Sequence, residues 1–209
     1  MNFDRETPAI QQAEVMELLS GMLTEDTKIT TGVGNHQMFA AQYLISLKPK
    51  TFLTSGGYGT MGFALPTAIG AHFANPDDTI IAVDGDGSLL MNLGELFTVG
   101  KYQLPVKVLL LNNHGDCMVR NIQDIIYDGA HVGTKKITSI SFANVAKEMG
   151  FNFHRRVEER GELKQGLEDF ISASGPSFLE VVTDVNEVLY PRIPAGLGYK
   201  DMILGPHMQ

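Results

Sequence analysis

Asp86 and Asn113, with the glycines that flank the first of them, are residues whose types and spacing suit the binding of a metal ion against an anion. A carboxylate and a side-chain amide oxygen are hard donors, matched to Mg²⁺ or Ca²⁺ rather than zinc. Gly85 and Gly87 let the backbone approach a ligand closely. Ser88 is the expected N-cap of a helix whose buried face would carry Leu89, Asn92, Leu93, Leu96 and Phe97. The unpaired N–H groups at the start of such a helix, and the positive end of its dipole, favour phosphate. Taken together these groups describe a metal bridging a diphosphate to the protein.

The elements around them must bring positions 86 and 113 to one edge. Residues 79–83 are β-branched and apolar, the pattern of a buried parallel strand, and Pro105 opens a second such run at 106–111. Strand, helix and strand in this order form a βαβ unit with a right-handed crossover. Asp86 and Asn113 therefore leave the carboxyl ends of parallel strands, where open α/β sheets bind ligands.

The rest of the chain repeats the pattern. Residues 1–9 read as a polar arm, and Val15, Leu18, Leu19 and Met22 as one face of a helix. A strand at 29–31 runs into Gly32-Val33-Gly34-Asn35-His36-Gln37, where His36 can reach a phosphate oxygen or merely cap the turn. A strand at 51–54 is followed by glycines and Met61, which is either core packing or a wedge against a bound ring. The stretch from His114 opens with His114-Gly115-Asp116-Cys117-Met118-Val119-Arg120 and continues as a mixed segment to about Ser139 that lacks clean periodicity and reads as a functional loop. Cys117 within it reads as a small buried residue rather than a nucleophile. Helices at 142–149 and 163–171 alternate with strands at 151–155 and 177–183. The expected fold is a doubly wound α/β domain with a six-stranded parallel sheet, spanning residues 1–209 and ending in a tail at 184–209.

Three other readings compete at the glycine-rich turns. Asp84, Asp86, Ser88 and Glu95 fall at EF-hand positions, but Leu89 stands where that loop needs glycine. Gly57-Tyr58-Gly59-Thr60-Met61-Gly62 fits G-x-G-x-x-G, with Asp84 placed as a ribose-binding acid. The third is a plain surface turn. Composition narrows the field further. Sixteen basic residues against twenty-four acidic ones, with no basic block, argue against nucleic acid. No run reaches membrane-spanning length, the N-terminus has no apolar leader, and the single cysteine excludes an intrachain disulfide framework. A cytoplasmic protein is expected.

Gly85-Asp86-Gly87-Ser88 followed by Asn112-Asn113 resembles the diphosphate-binding motif of thiamine-diphosphate enzymes. Gly32 through Met38, Leu53-Thr54-Ser55-Gly56-Gly57, Met61-Gly62-Phe63-Ala64-Leu65-Pro66 and Leu111-Asn112-Asn113 resemble the C-terminal third of acetolactate (acetohydroxyacid) synthase large subunits. The ending, Ile193-Pro194-Ala195-Gly196 through Lys200-Asp201-Met202-Ile203, is similar as well.

The resemblance implies that Asp86, Asn113 and the backbone carbonyl of Gly115 ligate Mg²⁺. It places Val33, Asn35, His36, Gly85, Gly87 and Ser88 around thiamine diphosphate, with the backbone at Gly59 and Met61 holding its aminopyrimidine. Met61 would be the wedge that bends the cofactor, and Met118 would line the pocket near the reacting ring. The implied activity is decarboxylation of a 2-oxo acid and ligation of the remaining fragment to a second carbonyl. The family carries glycine where Cys117 stands and a substrate-sorting tryptophan where Ile122 stands, so Ile122 is the expected acceptor-side residue. The family's activating glutamate belongs to a pyrimidine domain with no counterpart in residues 1–209. The expectation is therefore a natural subunit, with Met1 as its start, that is inactive without a second chain in an α₂β₂ assembly. The alternatives are the β subunit of a two-chain 2-oxo-acid decarboxylase, a non-catalytic nucleotide- or dinucleotide-binding module, and an excised fragment of a longer polypeptide.

Overall fold

The computed structural model describes residues 7–135, 140–194 and 196–205. Most of the expected arm, the end of the expected loop at 136–139, Ala195 of the C-terminal motif and the last four residues lie outside them.

Six strands form one sheet: β1 (Thr27–Thr31), β2 (Phe52–Thr54), β3 (Thr79–Gly85), β4 (Val106–Asn112), β5 (Phe153–Val157) and β6 (Ser177–Val182). Their order is β2-β1-β3-β4-β6-β5, and every neighbouring pair is parallel. Among the described residues eight α-helices flank them: α1 (Gln12–Ser20), α2 (Asn35–Tyr43), α3 (Ala64–Ala74), α4 (Asp86–Leu89), α5 (Glu95–Tyr102), α6 (Cys117–Ile126), α7 (Phe142–Glu148) and α8 (Leu163–Ser172). β4 is buried along its whole length, which explains its near-continuous apolar run.

Alternation along the strands splits the core in two. Ile81, Val83, Leu109, Leu111, Leu179 and Val181 pack under α1, α2 and α8. Ile80, Ala82, Val106, Val108, Leu110 and Phe178 pack under α3, α5 and α7. Burying side chains of this size stabilises by roughly 1.5–3 kcal/mol each, which is what fixes the register. The sheet reverses its winding between β1 and β3, so the loops leaving them diverge and open a crevice at their carboxyl ends.

Two expectations are corrected. The helix after the central strand begins at Asp86, with extended Gly85 before it; Ser88 lies inside rather than at the N-cap. It is also broken: a 3₁₀ turn at Leu90–Asn92 separates α4 from α5, so Asn92 and Phe97 are exposed while Leu89 and Leu96 are buried. The segment expected to be an irregular loop contains α6. Its apolar residues Val119, Ile122, Ile125 and Ile126 face outward, and its buried residues are Cys117 and Asn121. Val119, Ile122, Ile125 and Ile126 recur at helical spacing, so the period is present in the sequence although the stripe it makes does not face the domain's own core.

The tail is fastened back onto the first helix. Asp184 N–H donates to the Ile10 carbonyl, and the Glu187 carboxylate accepts from the N–H groups of Gln12 (2.5 Å) and Ala13 (3.1 Å). These are orphan donors of the first turn of α1, which no N-cap side chain satisfies.

Candidate active site at the sheet's carboxyl edge

A cavity of about 230 Å³ opens at the carboxyl ends of β1, β3 and β4. The loop after β1 contributes Val33, Asn35 and His36, and the turn before α3 contributes Gly59 and Met61. The β3–α4 junction contributes Gly85, Asp86, Gly87 and Ser88. Beyond β4 come Asn113, Gly115 and Met118, joined by Asp116, Cys117 and Val119. The fold thus gathers residues spread over some eighty positions of chain around one space. Ile122 does not line it; it sits one turn further along α6, 46 % exposed.

The β3–α4 junction is held by hydrogen bonds across three loops. Ser88 Oγ accepts from Gly62 N–H (2.9 Å) and Val33 N–H (3.3 Å), and its hydroxyl bonds the Asp84 carboxylate. That exhausts a hydroxyl's capacity, leaving Ser88 its backbone N–H for an anion. The first-turn N–H groups of α4, Gly87 among them, have no intrahelical acceptor. Asn92 Nδ2 ties the same assembly to the Gly62 carbonyl (2.9 Å).

Asp84 is 1 % exposed, and burial pushes its carboxyl up to about 7 despite bonds from Ser88 and Gly85 N–H. It is packed beneath Gly32 and lies outside the cavity lining, so it does not offer itself to a ribose as the dinucleotide reading requires. His36 is buried, its ring wedged against Gly34 and Gly85. Desolvation lowers it to about 3, so the imidazole is neutral.

Asn35 Nδ2 and His36 Nε2 are buried on the cavity wall without a hydrogen-bond partner, the latter 3.5 Å from Asp84 Oδ1. Asn35 Oδ1 receives only a long contact from Asn121 Nδ2 (3.5 Å). Such atoms carry a desolvation cost until something binds them. His114 adopts a left-handed conformation (φ 56°), which turns the chain so that both Asn113 and Gly115 reach the cavity. With buried Asp86 they line the same space, and each has an oxygen that a hard cation could use. Among the described residues no three His, Cys, Asp or Glu side chains cluster as a metal site. The residues present therefore fit a hard cation shared with a phosphate, not a metal caged by protein alone.

Asn121 was not legible in the sequence. A polar residue four positions after Cys117, on the same helix face, was the available signal, but it required knowing that the segment is helical.

Residues 32–181 match the family model "Thiamine pyrophosphate enzyme, C-terminal TPP binding domain". The chain is 39 % identical to the mitochondrial acetolactate synthase catalytic subunit of Aspergillus candidus, over 93 % of this chain and 28 % of that protein. Identity to the acetolactate synthase isozyme 2 large subunit of Escherichia coli is 35 %, over 96 % and 36 % respectively. With the mitochondrial catalytic subunit of Saccharomyces cerevisiae it is 39 %, over 95 % and 29 %. The chain spans about a third of the length of these curated relatives. With a sheet edge, an orphaned amide and an oxygen donor set that suit a metal-bound diphosphate, the chain belongs to the thiamine pyrophosphate enzymes, as a C-terminal TPP-binding domain.

Proposed function

We propose that this chain is the pyrophosphate-binding component of a thiamine-diphosphate- and Mg²⁺-dependent carboligase of the acetolactate-synthase kind, acting on 2-oxo acids. The observation that carries the reading is the convergence of Asp86, Asn113 and Gly115 with unpartnered Asn35 Nδ2 on one cavity at the sheet's switch point. When bound, thiamine diphosphate would supply the nucleophilic carbon needed for decarboxylation of a 2-oxo acid and ligation of its remaining fragment to a second carbonyl.

The chain's residues bind, orient and shield. Asp86 and Asn113 side chains and the Gly115 carbonyl hold the metal. Asn35, neutral His36 and the first-turn N–H groups of Gly87 and Ser88 hold phosphate oxygens. Burial that raises the Asp84 carboxyl to about 7 limits the negative charge that an anion meets there, while neutral His36 serves as a hydrogen-bonding group rather than a cation. Met61 and Met118 face the same space as apolar walls that exclude water from the reacting centre.

No glutamate lines the cavity among the described residues. In this proposal the activating glutamate comes from a pyrimidine domain on a second chain, in an α₂β₂ assembly with each site at the interface. The outward apolar face of α6, beside Met118, supports a covered edge. No helix among the described residues is long and apolar enough to cross a membrane. The cytoplasmic setting remains part of the proposal, since relatives include mitochondrial proteins. The test is turnover of 2-oxo acids by the chain with thiamine diphosphate and Mg²⁺, with and without a pyrimidine-domain protein. Activity only with the partner supports the proposal, and full activity from the 209 residues alone contradicts the split site. Product analysis with pyruvate separates a ligase, giving acetolactate, from a two-chain decarboxylase, giving acetaldehyde.

A further inference from the structure

We infer that Glu180 is a positioning residue for the metal-binding turn, acting through Asn112; the inference rests on the metal site proposed above. Asn112 ends β4 and is fully buried, as is Glu180 in β6. Asn112 Nδ2 donates to Glu180 Oε1 (2.8 Å), and Asn112 Oδ1 accepts the N–H of His114 (3.1 Å). His114 is the left-handed residue on which the turn pivots, with Asn113 before it and Gly115 after it.

A primary amide has donors at one end and an acceptor at the other, while a carboxylate only accepts. Glu180 therefore decides which way Asn112 points. With Nδ2 held by the carboxylate, Oδ1 must face the His114 N–H. In the flipped amide two donors would confront each other at His114, and two acceptors at Glu180.

The carboxylate is itself fixed. Arg156 Nη1 donates to Oε1 (2.6 Å), and Ala143 N–H donates to Oε2 (3.0 Å). Strand register sets Arg156 and Leu110 on either side of Glu180, so its side chain reaches along the sheet to Asn112, two residues beyond Leu110. An ion pair with one fully buried member, as here, is a poor source of stability because the desolvation of the buried carboxylate offsets the attraction. Its use here is orientation. Asn112, Glu180 and Arg156 all lie outside the cavity lining, so they touch the metal only through the turn they set.

Glu180→Gln removes the directionality, because its amide can satisfy Asn112 in either orientation. The test is calorimetric titration of Mg²⁺ and of Ca²⁺ into the full chain at saturating thiamine diphosphate. Loss of such an outer contact lowers metal affinity by about 10–100-fold. The loss should be greater for Mg²⁺, which demands near-octahedral geometry, than for Ca²⁺, which tolerates irregular sites. Asn112→Ala, which leaves the Glu180–Arg156 pair in place, should lower the same Mg²⁺/Ca²⁺ ratio, and it carries the test if Glu180→Gln does not fold. Folded variants that keep wild-type Mg²⁺ affinity, or that lose both ions equally, overturn the inference. Asp86→Ala separates the two levels: if it abolishes binding while these variants do not alter it, only the positioning role fails. If Asp86→Ala also leaves binding intact, the metal site fails with it.

Discussion

Gly32 lies so close to Asp84 that a methyl group on its Cα would stand 1.9 Å from the carboxylate Oδ1. The same methyl would stand 2.3 Å from Ser88 Oγ. The ends of β1 and β3 are thus in contact at the point where the cofactor cradle begins. Gly32→Ala should lower stability by about 1–3 kcal/mol through overpacking, and should weaken thiamine diphosphate binding as the Ser88 bonds loosen. Denaturant unfolding and calorimetry read both effects. Gly70→Ala, on an open face of α3 with no neighbouring atom within 4 Å, is the control. It should be neutral or stabilising by up to about 1 kcal/mol.

Stability should fall as pH rises through weakly acidic values, on account of Glu187. Burial pushes its carboxyl up to about 7, against the pull of two backbone N–H bonds. The folded protein then keeps a proton that the unfolded chain releases near pH 4.5. The contribution is fully present below that value and is lost as pH approaches 7. At about 1.4 kcal/mol per pH unit, roughly 3.5 kcal/mol is the ceiling. Glu187→Gln stays neutral, so the stability of wild type relative to this variant should decline from pH 4.5 to pH 8. A pH-independent difference in guanidinium midpoints would count against the assignment.

Cys117 should be inert in the folded protein. It is 3 % exposed, its Sγ lies 3.7 Å from the Val185 carbonyl, and burial pushes the thiol up to about 12. A thiolate is needed for attack. Disulfide reagents at pH 8 should label it only after unfolding, and rapid labelling of the native chain would refute this.

Ile122 is expected to influence acceptor choice from the rim, being exposed on α6 one turn beyond Met118. Ile122→Trp in the assembled enzyme should change the ratio of kcat/KM for large and small acceptors by about 10-fold or more. An unchanged ratio would remove it from the substrate path.

The sheet was legible because β3 and β4 are buried on both faces and carry unbroken apolar runs. β5 lies at the sheet edge, mostly half-buried, and begins two residues later than its apolar pattern predicts. The helix α6 was missed although Val119, Ile122, Ile125 and Ile126 recur at helical spacing; only the direction of that stripe, away from the core, was beyond the sequence. Ser88 was misread as a cap because its hydroxyl partners, Val33 and Gly62, are remote in sequence. Propensity sees local partners; these are tertiary ones. Of the asparagine pair at the end of β4, only Asn113 carries an expected role, as a metal ligand. The structure divides the pair, with Asn113 facing the cavity and Asn112 held by Glu180, sixty-eight residues away.

The most direct test of the account is calorimetric binding of thiamine diphosphate to the wild-type chain and to Asp86→Ala, each with Mg²⁺ and with chelator. The account predicts metal-dependent binding to the wild type. It predicts a loss of at least about 100-fold in Asp86→Ala, with thermal unfolding of the unliganded protein little changed. Binding that survives both the chelator and the substitution would contradict it.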